Sequence, residues 1–584
     1  MLLGKYVNRF YTKYFWFFFF GVIALIVVDY FQLLIPEIFG DLIDGIEDQT
    51  LFSNLDLLNK AVMWIGIIAV IMFVGRFTWR YCIYGVGVRI EADMRDMMFL
   101  HSEELSYSYY KKHKTGALMA LYTNDLQTIR SYFGQGTIML IDFIFLGAIA
   151  LIKMFILNWI LTLIILIPAV AIAITSFFLG KRMEDKFSIR QKAYEDLSDF
   201  TQENFTGISV IKAFVKEREE KEEFNRYNLD NYNKNMSYLR YYMMLDVAIT
   251  LVLNLIISLI FAGGVYLICG TTFDFSIGDL TAYISYFNSL TWPMMAIGQL
   301  INLMSQAKAS LARVTKLLDE RPEIVDNEVL EESRIEGKIT FNHLTFQYSD
   351  ADTPILKDIT FTINKGQMVG ILGKTGSGKS TLVDLLLRLY NVKENSILLD
   401  DKDLMHLSIK QVRDSIGYVP QDNFLFSDTV RNNIAFAFDT DVDDDMVVRS
   451  AMLSDVHDNI VEFSQGYQTI LGERGVTLSG GQKQRVSIAR ALIKNPPIMI
   501  FDDSVSAVDT KTEEKILTNL RSLRQGKTTI MVSHRISTVK DLDLIVLLDE
   551  GRVVGIGNND TLLKTSPLYQ EMVRLQTLEE EVNS

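Results

Sequence analysis

Cysteine is nearly missing from this chain: Cys82 and Cys269 are the only two in 584 residues, and both stand beside apolar runs. That excludes a disulfide framework and a cysteine zinc site. Positive charge is also in deficit. With 57 Lys and Arg against 71 Asp and Glu, the formal net charge is −14, which argues against nucleic acid as the main partner, because phosphate backbones select basic faces. Internal repeats are lacking, and low complexity is confined to the run Phe17 to Phe20. The start of the chain shows no small-residue cleavage pattern of a secretory signal. Lys5, Arg9 and Lys13 instead lead straight into a long apolar segment, which is expected to be a retained anchor, with Lys5, Arg9 and Tyr11 at the cytoplasmic interface.

What is abundant is apolar surface. Hydrophobic residues make up 49% of the chain and mean hydropathy is +0.18, high for a water-soluble ATPase, which must cover its surface with charge. Six apolar stretches stand out, at roughly 15–36, 59–82, 137–157, 159–179, 245–268 and 277–303, each near the ~20 residues needed to cross a bilayer core. The connections between them are unequal. The second and fourth are long and basic, with Arg89, Arg95, Lys111, Lys112, Lys114 and Arg130 in one and Lys181, Arg182, Lys186, Arg190, Lys192, Lys212, Lys216 and Arg218 in the other. The first is short and carries Asp41, Asp44, Glu47 and Asp48. The positive-inside rule places the long basic loops and both termini in the cytoplasm. Each long loop breaks its helical pattern once, at Thr115-Gly116 and at Phe205-Thr206-Gly207, the layout of paired helices joined by a short crosswise segment. The expected organisation is a transmembrane domain over 1–320, a linker over 321–337 marked by Pro322 and weak periodicity, and a second domain over 338–584.

The second domain opens on a run that organises the rest. Gly373-x-x-x-x-Gly378-Lys379-Ser380 has the P-loop spacing, and it follows the apolar run Met368 to Leu372 and precedes the helical-looking Thr381 to Leu387. Glycines in such a loop let backbone N–H groups close around a phosphate chain, with the positive end of the helix behind it. Thr375, Gly376, Ser377 and Thr381 belong to the same cradle. Lys379 is expected to reach the β- and γ-phosphates of ATP, and Ser380 to ligate Mg²⁺. Farther on, Ile498-Met499-Ile500-Phe501-Asp502 reads as a short strand ending in the second Mg²⁺-handling carboxylate.

Between these lies Leu478-Ser479-Gly480-Gly481-Gln482, opening a helix rich in arginine and alanine. With this sequence between a P-loop and the metal-binding aspartate, the chain resembles the ATP-binding-cassette transporters over essentially its whole length. The resemblance implies an α-helical six-span transmembrane domain fused to an α/β P-loop ATPase domain, and two cassettes that sandwich two nucleotides. Ser479, Gly480, Gly481 and Gln482 would then hold the γ-phosphate of ATP bound by a partner subunit. Tyr348 resembles the aromatic that stacks on adenine, Gln421 the glutamine that touches Mg²⁺ and senses the membrane domain, Asp509 the loop linking the two sites, and His534 the histidine that contacts the γ-phosphate.

One position departs from that pattern. Where the family normally has a glutamate after the metal aspartate, the base that polarises water, this chain has Asp503. Its carboxylate sits on the order of 1 Å back, and a misplacement of that size costs roughly 10²-fold in rate. The resemblance then implies a heterodimer, in which a second half-transporter carries the standard glutamate and this chain carries the impaired site, in a bacterial plasma membrane. The cargo expected is hydrophobic or cationic small molecules. Asp29, Asp142 and Asp246, with Asn254, Gln299, Asn302 and residues such as Phe31, Met294 and Met295, fall in or beside spans, where polar groups face a protein or water-filled interior. A lipid or peptide exporter, or an ATP-gated channel or drug sensor, are the alternatives on the same scaffold.

Overall fold

The structure is a computed structural model and describes residues 4–53, 55–270, 275–326, 329, 334–472, 475, 478–504 and 510–583. The chain divides into two compact units. One comprises residues 1–100 with 116–319, the other 101–115 with 320–584. Asp509 and much of the expected linker lie outside the described residues.

The first unit is entirely helical among the described residues. Its long helices are Phe15–Glu47; Leu55–Trp79, which passes through a π-helical turn at Arg80–Tyr84 into Gly85–Glu104; Thr137–Leu157; Trp159–Thr206; Glu217–Cys269; and Ile277–Asp319. Each covers one of the six apolar stretches. Among the described residues, four helical segments are long and apolar enough on their own to cross a membrane: Phe15–Glu47, Leu58–Glu104, Thr115–Leu157 and Glu217–Cys269. The fourth stretch contributes the shorter described segment Trp159–Ala171. The sixth is more polar, and it buries Tyr283, Tyr286, Phe287, Leu290 and Ala296 against the bundle, so protein rather than lipid covers much of it. The acidic first connection secures a helix start nearby. Asp44 accepts from Ser276 Oγ at 2.6 Å and from the Gly278 amide at 2.7 Å, satisfying an orphan donor at the beginning of the sixth helix. The N-terminal segment is held by Lys5 and Tyr6, both on Asp319 (2.6 and 2.7 Å), and by Lys13 on Asp93 (2.5 Å). Tyr11 packs on Phe18 and Phe133.

Short helices Tyr107–Lys112 and Ile208–Ala213 lie beside the two breaks in the long loops. The first break falls at His113 and Lys114, just before Thr115, where the His113 backbone turns extended (φ −114°, ψ +121°) and its ring stacks on Tyr109 with centroids 4.0 Å apart. The second falls at Gly207, whose amide still donates to Glu203 O at 2.8 Å.

The second unit holds two sheets. Strands β1 (Ile339–Phe346), β2 (Leu356–Ile363), β4 (Ile397–Leu399) and β5 (Lys402–Asp403) pair antiparallel in the order β2-β1-β4-β5. Strands β3 (Met368–Gly373), β6 (Ile416–Val419), β7 (Ile498–Asp502), β8 (Thr528–Ser533), β9 (Leu544–Asp549) and β10 (Arg552–Gly557) form a second sheet in the order β10-β9-β3-β8-β7-β6. All neighbours in it are parallel except β9 and β10. Strands β7 and β8 are buried at every position, as a parallel sheet covered on both faces requires. The alternation of side chains splits them cleanly. Ile371, Ile500, Ile530 and Val546 pack with Leu382 and Leu385 on one face, while Leu372, Phe501, Met531 and Leu547 pack with Ile488 and Leu492 on the other. Register then fixes the site: Leu372 pairs with Ser533 and Asp502 with Val532, so the P-loop, Asp502 and His534 emerge together at the carboxyl ends of neighbouring strands, where open parallel sheets bind ligands.

Candidate active site

The P-loop geometry depends on glycine where a side chain has no room. Gly376 and Gly378 have φ of +83° and +98°, and a Cβ on Gly373 would lie 2.3 Å from the Leu548 carbonyl oxygen. The helix Lys379–Leu386 starts directly after Gly378. Lys379 donates to the carbonyls of Gly373 (2.7 Å) and Lys374 (2.9 Å), so its ammonium lies across the loop that a phosphate chain would fill. Burial depresses its pKa, with Asp503 and Asp502 opposing. Ser377 Oγ is buried without a partner, a hydroxyl that a phosphate oxygen would satisfy.

Ser380 Oγ donates to Asp502 Oδ1 at 3.3 Å. Two hard oxygens at that separation fit adjacent corners of an octahedral Mg²⁺ shell, whose ligands lie ~2.0–2.1 Å from the ion. Burial raises the Asp502 carboxyl above its ordinary range, Asp503 adds to this, and Ser380 and Lys379 oppose it. A bound divalent cation would invert that balance. No cluster of three or more acidic, histidine or cysteine ligands occurs among the described residues.

Asp503 follows at the end of β7 with φ +46°. Its amide donates to Val532 O at 2.9 Å, and Gln484 Nε2 reaches its carbonyl at 3.5 Å. The backbone is therefore pinned, and the carboxylate's reach is set by side-chain length alone. Asp503 Oδ1 meets His534 Nδ1 at 3.1 Å, with the aspartate side chain 17% and the histidine 50% exposed. Of the expected residues, Lys379, Ser380, Asp502, Asp503 and His534 thus converge. Gln421 sits exposed on the loop after β6, and no described hydrogen bond of its side chain reaches Ser380 or Asp502.

Tyr348 lies beside the P-loop helix. Its hydroxyl and Thr381 Oγ1 are 3.0 Å apart, and its ring meets Phe346 and Tyr390 edge-on at 5.1 Å each. Sequence reasoning missed its other neighbours. Lys111, on the short helix Tyr107–Lys112, places its ammonium 5.4 Å from the Tyr348 ring centre and 5.6 Å from that of Tyr390. The segment is fastened within the second unit by Ser106 Oγ, which accepts from the Glu323 and Ile324 amides (2.8 and 3.1 Å), and by Ser108, which donates to Glu323 at 2.6 Å. No local pattern signals a contact between segments so far apart in the chain.

Asp384, on the same P-loop helix, is pushed up to about 6 by burial, with Lys111 opposing and Asp502 adding. A folded pKa above the unfolded value of 3.8 gives stability that is complete below 3.8 and is lost as pH rises through about 6. Asp384→Asn is therefore expected to raise the melting temperature of the nucleotide-free chain at about pH 7.5, with the gain vanishing near pH 4. Scanning fluorimetry across that window checks it; a gain independent of pH would contradict the assignment.

The second anion cradle is built differently. Ser479 caps the helix Gly480–Leu492: its Oγ accepts from the Gln482 amide at 3.3 Å while Gln482 Oε1 accepts from the Ser479 amide at 3.0 Å. This reciprocal capping box fixes the turn. Nothing lies within 4 Å of a Cβ added at Gly480, so the turn presents open backbone.

Comparison with known proteins agrees with this construction. The family model "ABC transporter transmembrane region" matches residues 18–294, and the model "ABC transporter" matches 356–506. The chain is 36% identical over 564 residues to the multidrug resistance-like ATP-binding protein MdlA of Escherichia coli, covering 96% of this chain and 94% of that protein. It is 33% identical over 501 residues to the ATP-dependent lipid A-core flippase of Syntrophus aciditrophicus, covering 85% and 82%. Among solved structures, a bacterial Atm1-family ABC exporter with ATP bound superposes with a TM-score of 0.75 at 26% identity, over 98% of each chain. A helical transmembrane unit and a P-loop ATPase unit with its signature turn, carried on one polypeptide, make this chain a member of the ABC transporter family, in which ATP hydrolysis drives transport.

Proposed function

We propose that this chain is one half of a heterodimeric exporter of hydrophobic and amphipathic compounds in a bacterial plasma membrane, and that its own nucleotide site binds ATP but hydrolyses it poorly. The observation that carries this is Asp503 on a pinned backbone beside an intact Ser479–Gln482 turn. The first limits this chain's own site; the second is complete and available to a partner's ATP.

In this reading Lys379 exchanges its loop carbonyls for β- and γ-phosphate oxygens, and the loop amides and Ser377 take the rest of the chain. Tyr348 offers its ring to the base. Ser380, Asp502 and Gln421 would hold Mg²⁺, which neutralises charge on the phosphates when bound. Hydrolysis needs a water aligned on the γ-phosphorus, its proton taken by a carboxylate and the developing charge met by a donor. Asp503 is the acceptor and His534 the donor, and their mutual bond orients both. The acceptor is one methylene short. The Gly480 and Gly481 amides and Ser479 would meet the γ-phosphate of the partner's ATP across the dimer.

The relative named as a lipid A-core flippase favours a second reading, lipid export, on the same machinery. Flux into inside-out membrane vesicles separates them. ATP-dependent accumulation of tetraphenylphosphonium, with ATPase stimulated by the same compound, is the expected result. Flipping of labelled lipid without flux of the cation would favour the second reading.

A further inference from the structure

The transmembrane unit contains a cavity of about 680 Å³ whose walls carry both acidic and basic side chains: Asp29 and Asp142, Arg76 and Arg80, together with Trp79 and Trp292. That volume is in the range of sites for drug-sized ligands. The two carboxylates are 4% and 6% exposed. Asp142 accepts from Trp292 Nε1 at 2.7 Å through one oxygen, but its other oxygen, one oxygen of Asp29 and the indole N–H of Trp79 are all buried without partners. Asp246, the third acid expected near the route, is exposed and is not among the cavity's walls.

The arginines do not neutralise the acids. Among the described residues Arg76 reaches Gln32, at 3.4 Å, and the Arg80 guanidinium lies 5.4 Å from the Trp79 ring centre. No ion pair among the described residues joins either to Asp29 or Asp142. Opposite charges sharing a low-dielectric cavity gain most by collapsing onto one another. Here they are held apart on different helices, and the helix bearing the arginines widens into its π-helical turn at Arg80, a feature frequent at functional sites. Charged groups in a span face protein or water rather than lipid, so the exposed guanidiniums mark the open side of the cavity.

We propose that this cavity binds an amphoteric head group: a protonated amine that still carries N–H donors, with an anionic group on the same molecule. The proposal rests on the export reading and adds to it a head-group preference at this cavity. The open carboxylate oxygens take hydrogen bonds from the ammonium, which a quaternary amine cannot supply. The guanidiniums take the anion, in the forked geometry suited to carboxylate or phosphate. Trp79 and Trp292 cover the apolar part. A free zwitterion and the head of an aminophospholipid share this chemistry.

The test uses the chain with its natural partner in inside-out vesicles and proteoliposomes. Norfloxacin, which carries a piperazine ammonium and a carboxylate, is compared with its ethyl ester (cation only) and its N-acetyl derivative (anion only). Acyl-labelled phosphatidylethanolamine is compared with phosphatidylcholine. The expected result is at least tenfold preference for norfloxacin over both derivatives, or for phosphatidylethanolamine over phosphatidylcholine, the first identifying a free zwitterion and the second a lipid head. The double variant Asp29→Asn with Asp142→Asn abolishes that flux. Should it fail to assemble, Arg76→Gln with Arg80→Gln, changed on the exposed side, decides by removing the preference over the ester. Equal flux of the zwitterion and its ester, with no discrimination between the two lipids, overturns the proposal while tetraphenylphosphonium export continues. Loss of every ATP-dependent flux overturns the export reading with it.

Discussion

Asp503→Glu raises ATP turnover at this chain's own site by up to roughly 10²-fold. The gain comes from reach. Asp503 cannot shift its backbone toward the nucleotide, because its amide is committed to Val532 O and its φ is +46° at the end of a fully buried strand. One methylene advances the carboxylate by on the order of 1 Å, the scale on which general-base alignment is won or lost. The His534 bond, 3.1 Å in the native chain, would re-form on the longer side chain and keep it oriented. Aspartate tolerates the left-handed backbone region better than glutamate does, so a small loss of stability is expected alongside the gain in rate. Single-turnover hydrolysis in an assembly whose partner site has been silenced measures this directly, and no increase would remove the geometric explanation.

Gly480→Asp, by contrast, should stop transport while leaving ATP binding at this chain's P-loop intact. A Cβ added at Gly480 has open space around it within 4 Å, so folding and the Ser479–Gln482 box are expected to survive. What changes is the surface offered across the dimer: an aspartate carboxylate would point at the γ-phosphate held by the partner, where like charge and lost access to the backbone amides act together. In the proposed heterodimer this turn completes the competent site, so the expected loss of turnover is at least about 10²-fold. Lys379→Ala strikes the other site. In the proposed heterodimer it removes this chain's phosphate contact but leaves the partner's site whole, so a smaller fall in turnover is expected. Equal losses from the two substitutions would mean two equivalent sites.

The ATPase unit was readable in the sequence because its chemistry is local. The P-loop, the Ser479-to-Gln482 spacing and the apolar strand ending at Asp502 each declare themselves within a few residues, and sheet register then assembles them. The membrane unit was legible as apolar length, but less evenly. The sixth helix buries much of its surface in protein, so its hydropathy understates its place in the bundle. Contacts closing over long separations left no trace: Asp44 on the sixth helix, Lys111 beside Tyr348, and Asp503 on His534. Polar residues in spans were visible, but their grouping was not. Asp29 and Asp142 share a cavity while Asp246 is exposed, and Arg76 and Arg80, which lie within the second apolar stretch, line that same cavity.

The most direct test of impaired hydrolysis follows the γ-phosphate itself. Photoreactive azido-ATP labelled at the γ-position is crosslinked to the assembly during steady turnover, and the label on each subunit is counted against an α-label control. The account predicts γ-label retained on this chain, beside Tyr348, in near-equal amount to α-label, and γ-label lost from the partner. Loss of γ-label from this chain at the same rate as from its partner would contradict it.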